Sequence, residues 1–199
     1  MMLASFFASN VIDAQAFWHN AAALVVVIPL MGGPIAVLLN RGRMAWGWAV
    51  ACTAVAFLLS LDMLSIVIRG TSITYEMGDW AAPLGIVYQV DALNALIISL
   101  VSGMALLALI YGFPLVEREI EAKKHAMFYG TFLICVAGLI GVSITGDVFN
   151  VFVFLEVSSI STYVLVAMGA QKNRQALFVS FNYLILVTIG ATFFVIGCG

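Results

Sequence analysis

The sequence predicts an all-α membrane protein with about six transmembrane helices. Of its 199 residues, 64% are hydrophobic and only 9% are charged, whereas a soluble domain carries roughly 25% charged residues. The apolar residues also form six runs of about 20 residues, the length that crosses the hydrocarbon core of a bilayer. Because so few charges cannot coat a globule, lipid is the expected solvent for most of the surface.

The six apolar runs follow one another along the whole chain. Each run is expected to be helical, because backbone N–H and C=O groups find no water in hydrocarbon. A closed β-barrel is excluded, since the runs are continuously apolar and do not alternate. With no linker between them, they predict one transmembrane domain over residues 1–199, with helices at about 21–39, 45–68, 92–112, 126–145, 147–169 and 176–197.

The first helix contains two prolines and two glycines close together, namely Pro29, Gly32, Gly33 and Pro34. Small residues at such a point predict close packing against a neighbouring helix. The prolines predict a kink or a local break there as well, and a gating hinge is the alternative to close packing.

Basic residues are distributed unevenly between the connections. The 1–2, 3–4 and 5–6 connections hold seven of the eight Lys and Arg residues, and only Arg69 lies on the other side. Because basic loops stay in the cytoplasm, this distribution predicts that the N-terminus lies outside. The seven are Arg41, Arg43, Arg118, Lys123, Lys124, Lys172 and Arg174.

The outer connection between the second and third helices has its own structure. Apolar and polar side chains alternate over residues 72–77, and a second strand-like run covers residues 85–90. This pattern predicts a short β-hairpin in the outer 2–3 loop, with Trp80 at the level of the lipid headgroups. Asp91 is expected to cap the third helix.

Glu156 is an acidic residue deep inside an apolar run. It is the tenth residue of the run 147–169, about 13 Å from its start at 1.5 Å per residue, and therefore near the bilayer midplane. A carboxylate at that depth costs at least ~2.5 kcal/mol unless it is protonated, hydrated or paired with a cation. A carboxyl balanced between these states suits proton uptake and release, so the sequence predicts Glu156 as a proton relay.

Hydroxyl groups lie near this carboxyl. Ser159 and Tyr163 follow Glu156 at i+3 and i+7, on the same helical face, where they can hold a file of water or bond the carboxyl. The plainer alternative is that Glu156 only bonds a neighbouring helix. Asp147 is expected to interact with the positive end of its own helix.

Other site chemistry is not indicated. The chain has no phosphate loop, metal-ligand spacing, nucleophile elbow or haem-attachment motif, so no cofactor and no metal site are predicted. A net charge of −2 gives no sign of a nucleic-acid partner.

Residues 146–157, GDVFNVFVFLEV, continuing through Ser161, Thr162 and Tyr163, resemble the fifth-helix signature of the antiporter-like membrane subunits. This family includes proton-pumping subunits of respiratory complex I, the D-type subunit of multisubunit Na⁺/H⁺ (Mrp-type) antiporters and related subunits of membrane-bound hydrogenases. The segment WAAPLGI, residues 80–86, followed by residues 90–93, resembles the D-type branch most. The resemblance runs in order from the first helix to the sixth.

The resemblance implies that Glu156 is the family's essential buried glutamate, which works with a lysine on a broken seventh helix. That lysine is not in the chain. Family members have about fourteen helices built around inverted repeats, so the chain is expected to correspond to their N-terminal part. It is either a fragment of a longer protein or the product of a split gene whose remainder is another subunit.

Together these observations predict that the chain is a proton-translocating subunit of a multisubunit monovalent cation/proton antiporter in the cell (inner) membrane. Its expected partners are other membrane subunits, the lipid bilayer, and protons with or without Na⁺. Open alternatives are a proton-pumping subunit of a complex I-type or hydrogenase complex, a structural scaffold subunit, a carrier for an organic substrate, and a quinone-binding subunit. The chain is not expected to be an enzyme by itself, although membership of a redox-driven translocase stays open.

Overall fold

The computed structural model of the chain describes residues 2–39, 41–70, 72–77, 85–169 and 175–198, with the backbone alone for 2–19. The described part contains six long helices and a two-stranded antiparallel sheet. In chain order the elements are α1 (Met2–Leu38), α2 (Gly42–Val67), β1 (Ile73–Glu76), β2 (Val87–Val90), α3 (Ala92–Glu119), α4 (His125–Ile144), α5 (Val148–Met168) and α6 (Gln175–Cys198).

All six helices are long and apolar enough to cross a membrane, the first of them over its part Asn20–Leu38. The predicted fold class is therefore confirmed: this is a multi-pass α-helical membrane protein with a short hairpin between its second and third helices. Which end of the bundle faces the cytoplasm stays a prediction.

Two helices are longer than their apolar runs. α1 begins at Met2, whereas the predicted span begins at residue 21. α3 continues through Pro114 to Glu119, seven residues past the predicted end at residue 112. At 1.5 Å per residue α3 is about 42 Å long, so it extends beyond a hydrocarbon core of about 30 Å. In its charged last turn, Glu117 Oε1 forms an exposed ion pair with Arg43 Nε of α2, 3.7 Å away.

The two prolines of α1 do not interrupt the helix, which is continuous to Leu38. The local break considered above is therefore absent, and close packing is what the structure shows. A Cβ added to Gly33 would lie 2.9 Å from the carbonyl oxygen of Gly130 in α4, and one added to Gly130 would lie 2.7 Å from the Gly33 carbonyl oxygen. The two backbones meet at this point, which only a pair of glycines permits.

α4 is the central helix and α6 the peripheral one. Half of the membrane-spanning segment of α4 is buried inside the bundle, whereas only 11% of that of α6 is buried. α6 packs against α5. The surfaces of α3 and α6 expose many large apolar side chains, among them Leu100, Leu107 and Phe193. In a membrane protein such surfaces meet lipid or another subunit.

The hairpin pairs β1 and β2 in antiparallel register, with Ile73 opposite Val90 and Glu76 opposite Val87. Its predicted position is confirmed, while Trp80 lies outside the described residues. As predicted, Asp91 caps α3, because its Oδ1 accepts a hydrogen bond of 2.8 Å from the Asn94 N–H. An isolated two-stranded hairpin is marginally stable, so its contacts with the bundle are what hold it.

Candidate functional site

The candidate site is carried by α5, which begins with a well-formed cap. Asp147 Oδ1 accepts a hydrogen bond of 3.1 Å from the Phe149 N–H, and its negative charge favours the positive end of the helix. The predicted role of Asp147 is thus confirmed. α5 then continues to Met168 without an internal glycine or proline, so it behaves as one rigid element.

Glu156 lies near the middle of this helix. It is the ninth residue of α5, which begins at Val148, and lies about 12 Å along the axis from that start. Its side chain is half-buried, but its Oε1 atom is enclosed and has no hydrogen-bond partner among the described residues. Buried polar atoms are almost always paired, and leaving one unpaired costs about 1–3 kcal/mol. The oxygen is therefore open to a water molecule or to another polar group.

α5 meets α4 through a different face. Ser158 packs against Gly138 and Phe154 against Gly141. Phe154 precedes Glu156 by two residues, which is about 200° around a helix. The carboxyl therefore lies on the side of α5 away from α4.

The two hydroxyl residues predicted beside Glu156 differ in burial. Ser159 is 5% exposed and its hydroxyl donates a hydrogen bond of 2.6 Å to the Leu155 carbonyl oxygen. Its oxygen can still accept a bond from water or from a protonated carboxyl. Tyr163 is partly exposed two turns after Glu156. Their part in a hydration path stays a prediction.

Neighbouring hydroxyls of α5 are likewise satisfied by their own helix. Ser158 donates to the Leu155 carbonyl, Ser161 to the Val157 carbonyl and Thr162 to the Ser158 carbonyl, over 2.7–3.0 Å. The Thr162 hydroxyl also lies 3.3 Å from Cys135 Sγ of α4. These hydroxyls spend their protons within α5, so each has only its acceptor oxygen left for other groups.

Positive charge is absent from the interior of the bundle in the described helices. α5 and α6 contain no Lys or Arg. The ion pairs Arg43–Glu117 and Lys124–Glu121 lie at the charged ends of the helices. No Lys or Arg of α5 or α6 is therefore available to pair with Glu156.

A second polar cluster joins the hairpin to the turn between α4 and α5, and the sequence analysis did not identify it. Tyr88 of β2 forms a bridge with Thr145, and the Gly146 N–H donates a bond of 2.9 Å to the Val87 carbonyl oxygen. Asn150 Nδ2 donates a bond of 2.9 Å to Thr145 Oγ1. In the sequence, this cluster is indicated only by Asn150, a single asparagine near the start of the apolar run 147–169.

Burial raises the pKa of Tyr88 above its ordinary value of 10.0. The side chain of Asn150 lowers this pKa in part, and the nearby Tyr75 raises it slightly. The folded state disfavours the phenolate. The neutral Tyr88 side chain therefore contributes its full share to the free energy of unfolding below pH 10, and this contribution is lost as the pH rises through the raised pKa. We expect thermal unfolding to show the wild type losing stability above pH 10 more steeply than Tyr88→Phe. Parallel curves for the two proteins would contradict this.

No protein-family model matches the chain, but individual proteins do. NADH-quinone oxidoreductase subunit N of Desulforudis audaxviator (strain MP104C) is 36% identical over 180 residues, covering 88% of this chain and 35% of that protein. The D-type subunit of a probable K(+)/H(+) antiporter of Rhizobium meliloti (strain 1021) is 35% identical over 158 residues, covering 76% of this chain and 28% of that protein.

A solved structure agrees with these relatives. A chain of the membrane-bound sulfane sulfur reductase, an archaeal respiratory membrane complex, superposes with a TM-score of 0.79 at 28% identity, covering 89% of this chain and 36% of that one. The chain thus spans about a third of the length of the proteins it matches. The two branches are similar to it at nearly equal identity, so assignment to the D-type branch stays a prediction. The resemblance noted in the sequence is confirmed, and the chain is a homologue of the antiporter-like membrane subunits over that matched part.

Proposed function

We propose that the chain is a proton-translocating subunit of a multisubunit monovalent cation/proton antiporter, and that Glu156 is its proton relay. The observation that carries the proposal is the buried, unpaired Oε1 of Glu156 halfway along an apolar helix. The similarity to the D-type subunit of an antiporter supports the class of complex.

The relay uses the two charge states of one carboxyl. As the neutral acid, the group holds a proton taken from water. A positive group that approaches the site favours the carboxylate, and the proton leaves. Ser159, whose hydroxyl donates its own proton to the Leu155 carbonyl, keeps its oxygen as an acceptor for water on the proton path.

The positive group must be supplied from elsewhere, because the helices around Glu156 contain no Lys or Arg. We assign it to the family lysine implied by the resemblance, contributed by further sequence of the same protein or by a companion subunit. The large exposed apolar surface of α6 fits such a partner, since α6 is the least buried of the six spans.

A second candidate is a proton-pumping subunit of a complex I-type assembly. The match to subunit N of an NADH-quinone oxidoreductase at 36% identity favours it. The two candidates share the relay and differ in what drives it: a cation gradient in one, a redox reaction in the other.

The experiment is proton movement in membrane vesicles that contain the assembled complex, started either with a Na⁺ or K⁺ gradient or with a respiratory electron donor. The wild type should respond to the cation gradient, and Glu156→Gln should not respond while the same amount of complex is present. Transport that survives in Glu156→Gln would leave a scaffold role for the chain. A response to the electron donor alone would favour the second candidate.

A further inference from the structure

We propose that Asn150 is a positioning residue, which clamps the start of α5 to the hairpin and thereby fixes the position of Glu156 along the membrane normal. The inference rests on the proposed function, because it concerns the placement of the same carboxyl. It is carried by the cluster of Tyr88, Thr145 and Asn150.

Asn150 lies between two parts of the chain that are distant in sequence. It is 7% exposed, and Tyr88 is 4% exposed. The Asn150 Nδ2 group donates to Thr145 Oγ1 at 2.9 Å, and the Asn150 side chain lies beside the Tyr88 phenol, whose pKa it lowers. One amide therefore joins the hairpin, the end of α4 and the first turn of α5.

The backbone around this amide reinforces the clamp. Besides the Tyr88–Thr145 bridge, the Gly146 N–H bonds the Val87 carbonyl oxygen at 2.9 Å. The Asp147 N–H lies 3.4 Å from the same Thr145 Oγ1. The connection between α4 and α5 is thus held like a third strand beside β2.

The clamp is linked to Glu156 by an unbroken helix. Glu156 lies six positions after Asn150, about 9 Å along the axis. No glycine or proline lies between them at which α5 could bend. A shift of the first turn therefore moves the carboxyl as well. Asparagine suits this task because its amide both donates and accepts without carrying charge.

The test compares variants in the assembled complex, with transport expressed per complex and measured across a pH series. Asn150→Leu keeps the number and branching of the side-chain heavy atoms but replaces the amide with two methyl groups. It should lower transport about tenfold and shift its pH profile, since misplacement of about 1 Å is costly. Thr145→Val, a milder change, should lower transport less than Asn150→Leu does. Thr145→Ser keeps the hydroxyl and should therefore transport at the wild-type rate. Ser143→Ala removes a hydroxyl that bonds only the Leu139 carbonyl in the described structure, and should behave as the wild type.

Glu156→Gln in the same vesicles separates this inference from the proposed function. If Glu156→Gln is inactive while Asn150→Leu and Thr145→Val keep the wild-type rate and pH profile per complex, the clamp is overturned and the relay stands. If these variants reduce only the amount of complex, Asn150 is merely structural and the inference is also overturned. If Glu156→Gln remains active, the relay itself fails.

Discussion

Glu156→Gln is expected to lower proton-coupled transport per assembled complex by at least about 100-fold, the lower end of the contribution made by a group that transfers protons. Glutamine has the same size and shape but cannot bind and release a proton. Because Glu156 Oε1 has no partner among the described residues, the substitution breaks no visible hydrogen bond at that atom. Assembly should therefore be preserved, and the loss should lie in the transport rate.

Glu156→Asp is the matched variant. It keeps a titratable carboxyl but withdraws it by one methylene group, so part of the transport should remain, at a rate reduced by the changed geometry. Blue-native electrophoresis measures the amount of complex, and a pH-sensitive dye in vesicles measures the rate. Equal losses in the Asp and Gln variants, with normal assembly, would show that shape matters here rather than titration.

Gly138→Val is expected to destabilise the protein by about 3 kcal/mol, the upper end of the usual cost of overpacking. A Cβ at Gly138 would lie 2.8 Å from both the backbone nitrogen and the Cβ of Ser158, and 3.0 Å from its Cα. Backbone atoms cannot rotate aside as a flexible side chain can, so α4 and α5 must separate. The carboxyl of Glu156 moves with α5, and transport should fall together with stability.

Gly47→Val is the control for that substitution. Gly47 lies within α2, and an added Cβ there would meet no atom within 4 Å. Its effect on the free energy of unfolding should stay below about 0.5 kcal/mol, as for most surface changes. Thermal unfolding of the detergent-solubilised protein compares the two variants, and equal shifts would contradict the close contact between α4 and α5.

The fold could be predicted from the sequence because the bilayer restricts the choice of structure. Apolar runs of about 20 residues must be helices there, and alternation over residues 72–77 distinguished the hairpin from the spans. The ends of α1 and α3 could not be predicted from hydropathy, because residues 2–20 and 113–119 continue their helices where the chain is more polar.

The candidate site could be predicted only in part. The depth of Glu156 follows from its place in the apolar run, since helical rise is constant. The hydrogen bond from Ser159 to the Leu155 carbonyl could also have been predicted, because serine in a helix often donates to the carbonyl four residues earlier. The sequence analysis instead assigned Ser159 to the Glu156 carboxyl or to a file of water. The contact of Tyr88 with Asn150 joins residues 62 positions apart, and no periodicity reports contacts at that distance.

The protonation state of Glu156 is the quantity on which the proposed function depends most directly. Infrared difference spectra of the assembled complex, recorded between low and high pH, detect the C=O stretch of a protonated carboxylic acid. We expect a carboxylic-acid band that appears on acidification in the wild type and is absent in Glu156→Gln. A wild-type spectrum with no such band, or the same band in both proteins, would contradict a proton relay at Glu156.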